Sequence, residues 1–238
     1  MIDITDSPSI FDLHIHSIYS QDSILKPERI IKIAKKKGLS GIAVTDHNTI
    51  KGAIKTKSAV PDGDFMVIVG AEIKTDKGEV IGLFLSEEIK SGEFAEVIEE
   101  IKDQDGITVL PHPYRNRLCN PEDLLKKVDL VEGLNARTAK KLNQKAQVSA
   151  KKFEVPIIAG SDAHTYFEIG QAQTIIEEND LVFDSIKACL LKGEVSIAGS
   201  EAPHHLRMMS VGIGKIKRDG TVGFVKSCIN KVLNKRSK

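Results

Sequence analysis

With 238 residues, 41% of them hydrophobic, the chain is long enough to bury one large core, and α/β barrels of this length commonly fold as a single domain. A formal net charge of +1, from 34 Lys and Arg against 33 Asp and Glu, leaves no global field that would demand nucleic acid or a membrane surface as partner. Three cysteines at wide, irregular spacing (Cys119, Cys189, Cys228) suit neither a disulfide framework nor a CxxC zinc site. With no signal peptide and no apolar run of membrane-spanning length, the expectation is a soluble, cytoplasmic protein.

Apolar runs alternate with segments of helical period, which predicts βα units and a mostly parallel sheet. SIFDLHIH (9–16) reads as the first strand, and its period of two puts Asp12, His14 and His16 on one side, with Leu13 and Ile15 on the other. A polar loop carrying Asp22, either a turn or cap residue or a ligand, leads into a helix at 27–38 that Pro27 opens and Gly38 closes. SGIAVTD (40–46) runs into TDHNT, so Asp46 and His47 fall at the carboxyl end of a strand, where α/β barrels build their active sites. FMVIVGAEI (65–73) and EVIGLFL (79–85) flank a Lys-Gly turn, which predicts a hairpin that interrupts the alternation. Glu72 closes the first of these runs, and a carboxylate buried there needs a partner or a metal. A helix at 94–106 precedes ITVLPH (107–112), in which flanking prolines restrain the backbone of His112. A helix at 121–128, strand LVEGLNA (130–136), a helix from 139 to 153, strand PIIAGSDA (156–163) and a helix at 183–194 follow. Asp162 and His164, two positions apart, point the same way. Residues 1–200 are therefore expected to form the barrel. Residues 201–238 should form a closing helix that packs on it and a Lys/Arg tail, with His204 and His205 on the surface.

Five of the seven histidines and at least three carboxylates thus sit at the ends of candidate strands. Imidazole and carboxylate without thiolate favour Zn, Mn or Fe over Ca or an iron–sulfur cluster. The ligands are too many for one ion, and two or three divalent cations would outweigh their roughly three negative charges, so the cluster should attract a polyanion such as a phosphate ester.

DLHIHS, TDHNT, GAE, PHP and GSDAH, in this order between residues 12 and 164, resemble the PHP (polymerase and histidinol phosphatase) family of metal-dependent phosphoesterases. The resemblance implies a distorted (β/α)7 TIM-like barrel with up to three metals at the carboxyl ends of its strands. Such families include histidinol-phosphate phosphatases, nucleotide phosphoesterases and domains attached to bacterial DNA polymerases. It implies His14, His16, Glu72 and Asp162 around one metal, and Asp22, His47 and His164 around a second. Bridging Glu72 would join His112 in a third. The chain departs from the pattern where Asp22 stands in place of a histidine, and after strand 130–136, where Glu132 and Asn135 are the available ligands. The expected mechanism is in-line attack on phosphorus by a hydroxide bridging two ions. Asp46 or Asp12 is expected to orient a metal-bound imidazole, unless Asp46 is a structural cap. Arg137 first, then Arg115 and Arg117, are candidates to fork onto phosphate, with solvated loop arginines as the other reading. With 5% aromatics and no Trp there is no stacking platform for long single-stranded nucleic acid, which favours a small phosphate monoester or nucleotide. Two alternatives stay open: a metal-binding regulatory or polymerase-associated module without turnover, and a C–N amidohydrolase on the same scaffold. No oligomeric state follows from the sequence.

Overall fold

A computed structural model of the chain describes residues 8–60, 65–115, 119–178, 181–203, 205–206, 208–217 and 220–221. The elements run β1 (Ser9–Ile15), α1 (Pro27–Lys36), β2 (Gly41–His47), α2 (Lys51–Ser58), β3 (Met66–Thr75), β4 (Gly78–Leu83), α3 (Phe94–Asp103), β5 (Ile107–Leu110) and α4 (Glu122–Leu125). Then come β6 (Leu130–Asn135), α5 (Lys140–Phe153), β7 (Ile157–Gly160), β8 (Ala172–Ile176), α6 (Phe183–Lys192) and β9 (Val195–Gly199). Among the described residues no helix is long and apolar enough to cross a membrane.

The strands lie in the order β7-β6-β5-β4-β3-β2-β1-β8-β9. β4 is antiparallel to both β3 and β5, so the expected hairpin is present, but its two turn residues are Asp76 and Lys77, since Gly78 already pairs with Thr75 in the ladder. The other pairs from β1 to β7 are parallel. The run nearly closes into a barrel where Ile15 bridges Ala163 beyond β7, with the His16 amide donating to the Ala163 carbonyl at 2.9 Å. β8 then pairs antiparallel with the start of β1, and β9 with β8. These two strands and α2 were not expected from the sequence. β8 is a run of only five residues, Ala-Gln-Thr-Ile-Ile, without alternation, and α2 packs through Gly52, Ala53 and Thr56, which carry almost no apolar signal.

Two apolar layers hold the barrel. Inside, Phe11, Leu13, Ala43, Ile68, Ile81, Val109, Leu130 and Ile158 pack together, joined by Ile186 and Leu190 of α6. Outside, Ile42, Val44, Val67, Val69 and Val131 meet the buried faces of α1 and α3, including Ile30, Ala34, Phe94, Val97 and Ile101. Each large aliphatic side chain so buried contributes about 1.5–3 kcal/mol.

Two strands change phase part-way along. In β1, Asp12 pairs with Ile42 but Ile15 with Val44, so β1 spends one residue more than its neighbour. Phe11 and Leu13 therefore face the interior, while Ile15 joins the outer layer. The expectation that Asp12, His14 and His16 share one side is corrected by this bulge. Asp12 shares the outward phase of Ile42, and its carboxylate accepts from Ser161 N at 2.8 Å, Ser161 Oγ at 2.5 Å and Gly170 N at 2.7 Å. β6 repeats the device: Glu132 pairs with Ile158 and Leu134 with Ala159, leaving Gly133 as the extra residue.

Candidate metal centre

β2 and β3 deliver His47 and Glu72 as direct register partners, and His47 Nδ1 lies 3.2 Å from Glu72 Oε2. The bulges bring in the rest. His14 Nδ1 is 3.0 Å from Glu132 Oε1, while Glu132 Oε2 accepts from the His112 amide at 2.8 Å and from Asn135 Nδ2 at 2.9 Å. The proton of His14 is thereby fixed on Nδ1. Ser20 donates its hydroxyl proton to Asp46 Oδ1 at 2.7 Å, so its oxygen can only accept from His16 Nδ1 at 3.2 Å. Both imidazoles then present bare Nε2 lone pairs, and these face one another 3.0 Å apart. Glu72 Oε2 is 3.6 and 3.3 Å from the two nitrogens, and Asp162 Oδ1 is 3.8 and 3.4 Å away.

Lone pairs and anionic oxygens converging without a proton between them repel unless a cation lies among them. Donors that bind one ion at about 2.0–2.2 Å stand roughly 3–3.5 Å apart, close to the 3.0–3.8 Å spacing found here. The residues therefore fit a metal. Without one, protons take its place. Burial lowers the affinity of His14 for a proton, but the carboxylates of Glu132, Asp162 and Glu72 outweigh it and hold His14 well above the usual histidine range. Burial likewise opposes protonation of His47, yet Asp22 and Glu72 push it up to about 11.

Beside this cradle, His164 Nε2 lies 3.1 Å from Asp22 Oδ2, and His16, His47 and His164 form a second convergent group. Asp22 Oδ1 is buried and makes no hydrogen bond among the described residues, as a ligand oxygen would be left without its ion. Burial, the neighbouring His16 ring and the Arg137 guanidinium lower His164 to about 4, against the opposing pull of Asp22. On the other side, His112 Nε2 is 2.9 Å from Glu72 Oε1. His112 and Asp162 hold φ of +29° and +56°, a region that costs a non-glycine residue about 1–3 kcal/mol and clusters at functional sites.

Arg115 donates to Asp162 Oδ2 at 2.7 Å and to Asn135 Oδ1 at 3.2 Å. Arg137 Nη1 lies 3.9 Å from Asp162 Oδ1, its Nη2 donates to Ser210 Oγ, and its Nε is 3.7 Å from Glu168 Oε1. Both arginines line a cleft of about 600 Å³ that opens onto Glu72, His112 and Asp162. Arg117 and His204 lie outside the described residues, as do Cys228 and the basic tail from residue 222 on. His205 is exposed.

Asp46 is fully buried and bonded to Ser17 N at 2.7 Å and Ser17 Oγ at 2.6 Å, so it reaches the imidazole of His16 only through Ser20. Among the described residues, the Asp12 carboxylate bonds to backbone amides and Ser161 Oγ, not to an imidazole ring. Glu132 and Asn135 stand behind the centre: the first orients His14, and the second links Arg115, Asp162 and Glu132. Sequence reasoning missed Ser20, Glu168 and Ser210. Glu168 Oε2 accepts from the His164 amide at 3.0 Å, and residues 208–217 form a helix that reaches the mouth of the site. Val211 lines the cleft, and Lys217 donates to the carbonyls of Ser20 and Ser23 on either side of Asp22. No ligand-type pattern marks these positions; contacts across long sequence separations do.

The chain is similar to several known proteins. An uncharacterised protein of Methanocaldococcus jannaschii is 46% identical over 114 residues, spanning 43% of this chain and 67% of its own length. A second uncharacterised protein of that organism is 35% identical over 172 residues, 68% of each chain. Among solved structures, a two-domain protein from Bacteroides vulgatus containing a predicted PHP-like metal-dependent phosphoesterase shares the fold at 19% identity, with a TM-score of 0.69 over 88% of this chain and 71% of its own. The PHP domain model matches residues 12–186, which take in each imidazole and carboxylate gathered around Glu72 and Asp162, and the chain belongs to the PHP domain family.

Proposed function

We propose that this chain is a metal-dependent phosphoesterase that hydrolyses a small phosphate monoester or a nucleotide. The observation that carries the reading is the placement of two guanidinium groups, Arg115 and Arg137, on the wall of the same cleft into which the imidazoles and carboxylates converge. Bound divalent cations would supply Lewis acidity toward a phosphoryl oxygen and toward water.

The chain's own residues prepare the rest. Glu132 and Ser20 hold the protons of His14 and His16 on Nδ1, so that both Nε2 atoms stay available to cations. His14, His16, Glu72 and Asp162 form the first set of ligands, and Asp22, His47 and His164 the second. Arg115 directs two of its five N–H donors at Asp162 and Asn135, which fixes the plane of the guanidinium beside the cleft. Planar, permanently charged donors held in this way suit the tetrahedral oxygens of phosphate better than a planar carbonyl. A cleft of about 600 Å³ accommodates one nucleotide-sized molecule, in keeping with a small substrate.

The test is phosphate release by the Mn-loaded protein from a panel of nucleoside mono- and bisphosphates, sugar phosphates and histidinol phosphate, with His47→Ala as control. Turnover by the wild type that is lost in His47→Ala supports the reading. Silence across the panel from protein shown to hold metal would refute it in favour of a binding module.

A further inference from the structure

Glu79 belongs to no pattern that marks a strand-end ligand, yet it reaches the centre. It follows the Asp76-Lys77 turn as the second residue of β4. Because β4 runs antiparallel to β3, its first residues lie at the same end of the barrel as the last residues of β3, the end that bears Glu72. Lys74 pairs with Glu79 and Glu72 with Ile81, so Glu79 shares a face of the sheet with Glu72. Its Oε2 is 3.6 Å from His112 Nε2, which is itself 2.9 Å from Glu72 Oε1. One ligand atom each from His47, Glu72 and Glu79 fall within 4.8 Å of one another.

β6, where a further ligand was expected, is otherwise engaged. Both oxygens of Glu132 are taken, one facing His14 Nδ1 and the other accepting from His112 N and Asn135 Nδ2. Asn135 Oδ1 accepts from Arg115 Nη1, from the Arg137 amide and from Thr138 Oγ1.

We propose that Glu79 is the ligand that completes a third cation position with Glu72 and His112, so that the hairpin rather than β6 closes the centre. The inference rests on the reading that the cleft holds divalent cations. Glu79 is 38% exposed, whereas Glu72 and His112 are 2% exposed, so this position binds more weakly and exchanges faster than the two beneath it. Two carboxylates and one imidazole make it the hardest of the three and suit Mn or Mg better than Zn. With Glu79 the centre carries four carboxylates, roughly four negative charges against about six from three divalent cations. The remainder of about two positive charges matches a phosphate dianion.

The experiment is a titration of the metal-free full chain with Mn²⁺, with free Mn²⁺ followed by electron paramagnetic resonance and folding checked by thermal melting. Wild type should take up about three ions per chain, the last roughly tenfold or more weaker than the others. Glu79→Gln should keep the tight ions and lose the weak one, and Glu79→His should restore it. An unchanged weak ion in Glu79→Gln, or wild type that saturates without one, overturns the proposal. If Glu79→Gln fails to fold, Glu79→Asp takes its place: a weakened last ion supports the assignment and an unaltered one refutes it. Wild type that binds all its ions and loses one in Glu79→Gln, but releases phosphate from no ester, would sink the phosphoesterase and leave the ligand standing.

Discussion

β2 and β3 run side by side through seven unbroken register pairs, from Gly41 with Met66 to His47 with Glu72, whereas β1 and β6 each carry one residue more than a neighbour. In the regular pair, simple alternation delivers an imidazole and a carboxylate to one point. Strict alternation can only deliver residues at even spacing on one face. β1 must bury Leu13 inside, turn Ile15 outward and still aim His14 and His16 at the centre. β6 must aim both Glu132 and Asn135 inward although they stand three residues apart. The bulges let an apolar lower barrel and a polar upper one share the same strands.

The largest effect should come from Gly160→Ala, because Gly160 of β7 lies against bulged β1. A Cβ there would sit 2.3 Å from His14 Cβ and 2.9 Å from His14 N, and backbone cannot yield as a flexible side chain does. We expect destabilisation of about 1–3 kcal/mol or more in a denaturant melt, with loss of tight metal binding. A variant as stable as wild type that still holds its metal would show that the phase change in β1 is not tightly enforced. Next, Glu132→Gln keeps the shape of the β6 bulge but removes the charge behind His14, and a Mn titration should show affinity lower by about 10–100-fold. Affinity within twofold of wild type would mean that β6 supplies packing alone.

pH separates the two regions less sharply but tests both at once. His14, from the bulged strand, and His47, from the regular one, hold protons in the metal-free protein at neutral pH. Binding must release those protons, so affinity should rise with pH between about 6 and 8, by roughly tenfold per unit for each proton released. Calorimetry in buffers of different ionisation enthalpy counts them, and a flat affinity would contradict the assignment of both groups as ligands. The smallest effect is expected for Ser20→Ala, which cuts the link from Asp46 to His16 while Ser17 still holds Asp46. Affinity should fall by about tenfold at most. A larger loss would make Ser20 the principal support of His16.

These contrasts also explain what could be read in advance. The parallel strands, the β3–β4 hairpin, and the convergence of His47, Glu72, His112, Asp162 and His164 follow from period and strand ends. Asp12 was placed on the wrong side because a bulge leaves no mark in a hydrophobic pattern: FDLHIH alternates whether or not the ladder slips. Glu79 was overlooked although the hairpin was foreseen, since an antiparallel strand brings its beginning, not its end, to the ligand face. Ser210 and Lys217 reach the site from a segment whose composition suggests a helix closing the barrel and a basic tail, with no site residue. Their partners, Arg137 and the carbonyls of Ser20 and Ser23, lie far away in the sequence.

The barrel closes on one parallel bridge, Ile15 with Ala163, and the residues flanking that bridge are His14, His16, Asp162 and His164. The joint where the sheet meets itself is thus also the place where the charged groups are densest. Whatever occupies the space between His14, His16 and Asp162, proton or cation, acts as a clasp across the weakest hydrogen-bonded edge of the cylinder. Emptying that space should let β1 and β7 part before any other pair, so that the first amides to exchange with solvent are those that bridge the clasp.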